Sequence, residues 1–335
     1  MRKKAITLSD IARETGVSVN AVSLALRGKS GVSEEMRRHI THVADKMGYA
    51  LRGAGTGNIL ALIPQRFFSM DANSVSFYPG LYFEMQRYAD EKGCKLILSS
   101  VSPEDEKALR VPPLLGSISI IGIVSVGNMS EGYCRMLKGL GLPFVIADQY
   151  YDSLKTSCVC TANASAAYEL TSHLIDLGHT NIHFIESPFR TSSARDRWVG
   201  YVRAMVSHGL QPLENRLTMA GNMEHVGDDL IAQALDELNP LPTAFVCGHD
   251  AMAKAVIFHL AKRGLRCPED FSVTGFDNIQ SPEIQSLRLT TCDTPKKAIA
   301  RTAIDLLLSE ATPAKIIQLY GEIIIRNSVR SIRKP

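Results

Sequence analysis

The sequence predicts an α/β protein: a three-helix unit containing a helix-turn-helix, then a two-lobed core of parallel sheets. Three observations predict it. Residues 7–27 spell two short helices joined by a tight turn. From Ile59 onward, short apolar strands alternate with amphipathic helices, the pattern of parallel sheets covered on both faces. The alternation runs through too many units for one doubly wound sheet, which points to two lobes with a ligand between them at the strands' carboxyl ends.

The N-terminal elements come first. Thr7 is placed to cap a helix whose apolar face is Leu8, Ile11 and Ala12. Gly16 supplies a left-handed turn residue and Val17 plugs the angle between the helices. Ser18 caps a second helix with Val22 and Leu26 facing inward. Such a second helix can lie in a DNA major groove, and a helical pair inside a core is the plain alternative. A third helix is expected over Ser33–Met47, with Ser33 as cap and Met36, Ile40, Val43 and Met47 at helical spacing, stopped by Gly48. Residues 1–52 carry ten Lys and Arg against five Asp and Glu, whereas the whole chain is only +3. A basic head on a slightly acidic body is the footprint of a polyanion partner.

In the body, strands are expected at Ile59–Ile63, Lys95–Ser99, Ile118–Val124, Phe144–Ala147, Ile182–Ile185, Ala244–Cys247 and Ser272–Gly275. Helices are expected at Gly80–Lys92, Glu131–Leu140, Ala164–Leu177, Ala194–His208, Asp228–Leu238 and Ala251–Arg263.

Composition narrows the classes. A 335-residue chain with 45% hydrophobic and 21% charged residues is ordinary globular protein longer than one domain. No apolar run approaches the ~20 residues of a membrane span, and the basic N-terminus lacks a hydrophobic signal region. The seven cysteines are odd in number and scattered, and Cys158-x-Cys160 lacks the partners of a zinc site. Both sulfurs fall on one face of a strand, as core or pocket lining. A reduced, cytoplasmic chain without metal or cofactor is expected. No P-loop, dinucleotide fingerprint, Gly-x-Ser-x-Gly or His-Glu-x-x-His occurs, and the His and Asp residues form no catalytic set, so no catalytic residue is assigned and a binding protein is favoured over an enzyme. A solute-binding protein without specific operator binding is the alternative.

Several segments carry a family resemblance. In the head they are Thr7-Leu8-x-Asp10-Ile11-Ala12, Gly16-Val17-Ser18, Val22-Ser23, Val32-Ser33 and Gly48-Tyr49. In the body they are Gly178-His179, Arg197-Trp198-Val199-Gly200-Tyr201, Asp250-Ala251-Met252-Ala253, Val273-x-Gly275-Phe276-Asp277, Leu289-Thr290-Thr291 and Ile325-Arg326-Asn327-Ser328. In order and spacing the chain resembles the LacI/GalR family of transcriptional regulators nearly end to end. The resemblance implies a DNA-binding head over 1–49, a hinge over 50–58 and a periplasmic-binding-protein-like core over 59–335. It divides the core into one lobe of 59–159 plus 292–322 and another of 160–291 plus 323–335. It further implies a homodimer on a double-stranded operator, and a small effector in the cleft, sugar first and nucleobase second, that changes operator affinity, most often as a repressor.

By this resemblance Val19, Asn20 and Leu24 face the bases. Asn20 can pair bidentately with adenine, and Val19 can meet a thymine methyl. Leu24 stands where the family commonly has Arg. Thr7, Ser18 and Ser23 are candidates for phosphate contacts, with Arg27 and Lys29 adding salt-sensitive affinity. The hinge departs from the family. It is several residues short and holds Gly53, Gly55 and Gly57, which disfavour a helix. Leu51 is the residue left to wedge a minor-groove step.

In the core, the resemblance makes Arg197 a clamp for an effector hydroxyl, carboxylate or phosphate, with a salt bridge to Asp196 as the plain reading. Asp250 lines the cleft or simply caps a helix. His249 stands where Asn is frequent. Asp277 and Asp148, each past a strand end, are acceptors for sugar hydroxyls, and Asp277 has turn capping as its alternative. Phe77 and Tyr78 form an aromatic lip or pack in the core. Trp198 is a cleft wall or interlobe packing, and Ser125 completes the expected set.

Overall fold

The computed structural model describes residues 7–26, 31–47, 57–68, 77–219, 227–279, 287–309 and 313–333. The head contains helices Leu8–Thr15, Val19–Leu26 and Glu34–Met47. Thr7 and Asp10 make a reciprocal capping box, with Thr7 N–H donating to Asp10 Oδ2 at 2.9 Å. Gly16 closes the helix at φ 70°, a left-handed angle at which a side chain is strained. Ser18 Oγ accepts from Ala21 N–H at 3.1 Å and Ser33 Oγ from Met36 N–H at 3.3 Å, so both hydroxyls cap as their positions predict. Ile11, Val22, Leu26 and Ile40 form the head's core, and Val17 packs against it. Met36, expected inside, is exposed; Ala44, one turn beyond Ile40, fills the inner position instead.

Eleven strands follow among the described residues. They are β1 (Asn58–Pro64), β2 (Lys95–Val101), β3 (Ile120–Val126), β4 (Phe144–Ala147), β5 (Ser157–Thr161), β6 (Ile182–Ile185), β7 (Ala244–Cys247), β8 (Ser272–Thr274), β9 (Thr291–Asp293), β10 (Ile316–Leu319) and β11 (Glu322–Ile324). Six make one sheet in the order β10-β5-β4-β3-β1-β2, and every pairing in it is parallel. A second parallel sheet has the order β6-β7-β8. β9 and β11 form a separate antiparallel pair, and Thr290, just before β9, bridges Thr274 of β8. The chain thus passes from one sheet region to the other three times: after β5, around β9, and between β10 and β11.

Both faces of each sheet are buried. In the first, Ile59, Ala61 and Ile63 face helices Phe77–Glu91 and Lys296–Leu308, while Leu60 and Leu62 face helix Glu131–Gly139. In the second, Phe184 and Val246 pack with Leu174 and Tyr201, while Ile185, Phe245 and Cys247 pack under helix Asp250–Ala261. Helices Asn163–Asp176 and Ser192–Ser207 meet closely because Gly200 lacks a side chain; a Cβ there would overlap the Ala164 carbonyl oxygen.

Most expected bounds move by one or two residues at an end, and two elements depart in a way that matters for the site. β3 lies two residues later than Ile118–Val124. Helix Phe77–Glu91 starts three residues before Gly80, because Pro79 is tolerated in a first helical turn.

Candidate DNA-reading head and interlobe effector site

On the second head helix, Val19 and Asn20 are exposed at its N-terminal end, clear of the head's own core. Ser23 and Leu24 are half-buried. Leu24 Cδ1 lies close to Gly31, ahead of the third helix. Thr7 and Ser18 spend hydroxyl capacity on their caps. Arg37 from the third helix donates to the carbonyls of Leu24 (3.4 Å) and Ala25 (3.0 Å), tying down the second helix's C-terminal end. Arg27, Lys29 and Leu51, and the hinge apart from Gly57 and Asn58, lie outside the described residues.

The cleft is built from strand ends. Asp148 follows β4, is 8% exposed, and accepts from Tyr78 Oη at 3.2 Å. Asp277 follows β8 and is 9% exposed. Burial, then the nearby Asp277 carboxylate, pushes the Asp148 carboxyl up to about 7. Burial also raises the Tyr78 hydroxyl, with Asp148 and Asp277 acting in the same direction.

Arg197 ties the second lobe's wall together. Its Nε donates to Asn163 Oδ1 at 2.8 Å, its Nη1 to the Gly248 carbonyl, and its Nη2 reaches Asp277 Oδ1 at 3.5 Å. Its guanidinium lies 3.6 Å from the Phe276 ring centroid. The alternative pairing with Asp196 is not what forms. Lys296 Nζ donates to the Asp277 carbonyl at 3.0 Å.

His249 caps helix Asp250–Ala261, its Nδ1 accepting from Met252 N–H at 3.4 Å. Burial lowers its pKa, so the ring is neutral, and an accepting Nδ1 leaves the proton on Nε2. Beside it, Glu186 accepts from Arg190 Nε and Nη2, the latter at 2.9 Å. Burial pushes the Glu186 carboxyl up, but the Arg190 charge, with the hydrogen bonds that Arg190 and Ser187 N–H donate, outweighs it and holds the group below its ordinary value.

Four of the expected cleft residues sit elsewhere. Phe77 is in the first turn of its helix, buried in the first lobe's core under Lys296. Trp198 points into the second lobe, its ring 5.5 Å from Phe184 and 5.1 Å from Tyr201, because helical spacing puts it on the Tyr201 face. Ser125 is buried on the sheet face opposite Val124 and Val126, its Oγ 3.9 Å from Cys134 Sγ. Asp250 is not a free cleft acceptor. Its carboxylate takes Thr291 Oγ1 at 2.7 Å and Ile279 N–H at 2.6 Å, pinning the Asp277 loop to β9.

Sequence reasoning missed Asn163, Glu186, Arg190 and Lys296. Glu186 and Arg190 had a signal, opposite charges four residues apart just past β6. Asn163 and Lys296 had none.

A basic three-helix head and a two-lobed core with charged groups converging between the lobes define a ligand-responsive, DNA-binding regulator. Bacterial regulatory proteins of the lacI family match residues 7–50, and the periplasmic binding protein-like domain matches residues 171–329. The chain belongs to the lacI family of transcriptional regulators. It is 27% identical over 344 residues to the HTH-type transcriptional repressor PurR of Glaesserella parasuis, covering 98% of this chain and 99% of that one. PurR of Vibrio parahaemolyticus is 27% identical over 339 residues, covering 97% and 99%. The fold matches the transcriptional regulator CelR–cellobiose complex with a TM-score of 0.69 and 22% identity, over 96% of this chain and 99% of that one. It also matches the lac repressor dimer bound to operator and the anti-inducer ONPF, with a TM-score of 0.67 and 20% identity, over 98% and 100%. Among the described residues no helix is long and apolar enough to cross a membrane.

Proposed function

We propose that this chain is a cytoplasmic, homodimeric repressor that reads a palindromic operator and changes its grip when a sugar-like effector binds between the lobes. Residues 1–49 form the reading head, 50–58 a short hinge and 59–335 the effector core. Val19 and Asn20 read bases, with Leu24 beside them. Thr7, Ser18, Ser23, Arg27 and Lys29 contact phosphates, and Leu51 is the groove wedge. Tyr78, Asp148, Arg197, His249 and Asp277 hold the effector. The role is binding rather than catalysis.

The observation that carries the effector reading is the meeting of Asp148 and Asp277 from opposite lobes, with Arg197 beside Asp277. Two buried carboxylates accept hydrogen bonds, and a polyhydroxylated ring donates in several directions at once. A ligand that bridges them stabilises one lobe arrangement over another, which is all that control of a distant head requires. The relatives named as repressors and the neighbour bound to cellobiose agree with this reading.

The test is selection of random duplex DNA by the purified chain at two salt concentrations. An enriched palindrome is expected. Salt-sensitive binding without an enriched motif at either concentration overturns operator reading and favours the solute-binding alternative. A thermal-shift panel of neutral sugars and nucleobases then separates the two effector classes.

A further inference from the structure

Tyr150 joins the two lobes by a route that the effector site does not use. Its ring packs among the first lobe's apolar residues under helix Glu131–Gly139. Its hydroxyl lies 2.9 and 3.0 Å from the two carboxylate oxygens of Asp196, on helix Ser192–Ser207 of the second lobe. Asp196 is only 8% exposed. Neighbouring contacts run the same way. Ser192 Oγ accepts from Tyr150 N–H at 3.1 Å, and Ser193 Oγ donates to the Asp148 carbonyl at 3.0 Å. Arg195 donates to Asp152 Oδ2 at 2.8 Å while its guanidinium sits 5.3 Å from the Tyr150 ring centroid.

We infer that Tyr150 is a positioning residue for the cleft: clamped on Asp196, it holds the lobes together before any effector arrives. The chemistry favours this assignment over incidental contact. A phenol donating to a buried carboxylate is a charge-assisted hydrogen bond, stronger than a neutral one. Arg195 sits on the ring and links Asp152 to the same helix, so four side chains act at one seam. The Tyr150 ring keeps its packing in the first lobe whether or not the hydroxyl is engaged, so the bond can release without unmaking that core. The closed arrangement thereby has a holding interaction outside the ligand space. The inference deepens the proposed effector control, but it concerns the ligand-free chain and is tested without DNA or effector.

The full chain is compared with Tyr150→Phe, Asp196→Asn and the double variant by small-angle X-ray scattering and amide hydrogen exchange. Tyr150→Phe keeps the ring and removes only the donor. Each single variant is expected to enlarge the radius of gyration and to speed exchange at the start of helix Ser192–Ser207 about tenfold, as loss of one such bond supports. Exchange in β3 and β6 stays as in the parent, which separates lobe opening from general loosening. The double variant opens no further than either single one. Unchanged scattering and exchange in both single variants overturns the inference, as do strictly additive effects or faster exchange throughout both cores.

Discussion

Asp148 and Asp277 reach the cleft from opposite lobes, and each sits at a left-handed backbone angle, φ 73° and 97°. Non-glycine residues hold such angles infrequently, Asp and Asn more readily than most. Here they aim two carboxylates into the same space.

That pairing makes stability depend on pH in a defined direction. Asp148 is held up at about 7 in the folded chain, by burial and then by Asp277, well above an unfolded carboxyl. A group raised in this way gives its full contribution below the unfolded value and loses it as pH rises through about 7. Asp148→Asn, which tolerates the left-handed angle, is therefore expected to melt higher than the parent at pH 8. At pH 5 the gap is smaller, because it opens only as pH rises from the unfolded carboxyl value of about 4 towards 7. Thermal melts at both values check the difference.

Arg197 satisfies the Gly248 carbonyl and Asn163 while stacking on Phe276. Arg197→Met leaves those acceptors buried without a donor and is expected to cost about 3 kcal/mol. Arg197→Lys recovers little, because one ammonium cannot reproduce the planar fork. Urea unfolding measures both.

Gly200→Ala forces a methyl group into the Ala164 carbonyl between two packed helices. A loss of about 1–3 kcal/mol is expected, again by urea unfolding, with far-UV circular dichroism unchanged at zero denaturant.

In the head, Thr7→Ala removes the capping box and is expected to cost about 1 kcal/mol of head stability. Asn20→Ala leaves the fold alone, since the side chain is exposed, and weakens binding to the selected palindrome by about 1–3 kcal/mol. Binding to random duplex stays as it was. Titrations on both DNAs separate the two effects.

Periodicity carried most of the fold. Apolar runs such as Ile182–Ile185 and Ala244–Cys247 are strands with the bounds their sequences predict. Phe77, Tyr78 and Pro79 stand ahead of the helix expected from Gly80, yet they form its first turn, with Phe77 buried in the first lobe's core. β9 and β11 span three residues each and are held by long-range pairing, so no local pattern marks them. In the candidate site, Asp148 and Asp277 were singled out by their places past strand ends, and Arg197 and His249 by the family resemblance. Trp198 was misplaced although Tyr201, three residues on, signals the shared inward face. The Tyr150–Asp196 bond joins residues 46 positions apart, beyond the reach of any motif.

The three passages of the chain between the sheets have a mechanical consequence. One strand joining two bodies lets them swing in every direction. Three side by side suppress stretching and shear, and leave one soft coordinate, a rotation about the bundle they form. An occupant of the cleft is then expected to make itself felt chiefly as a change in that angle.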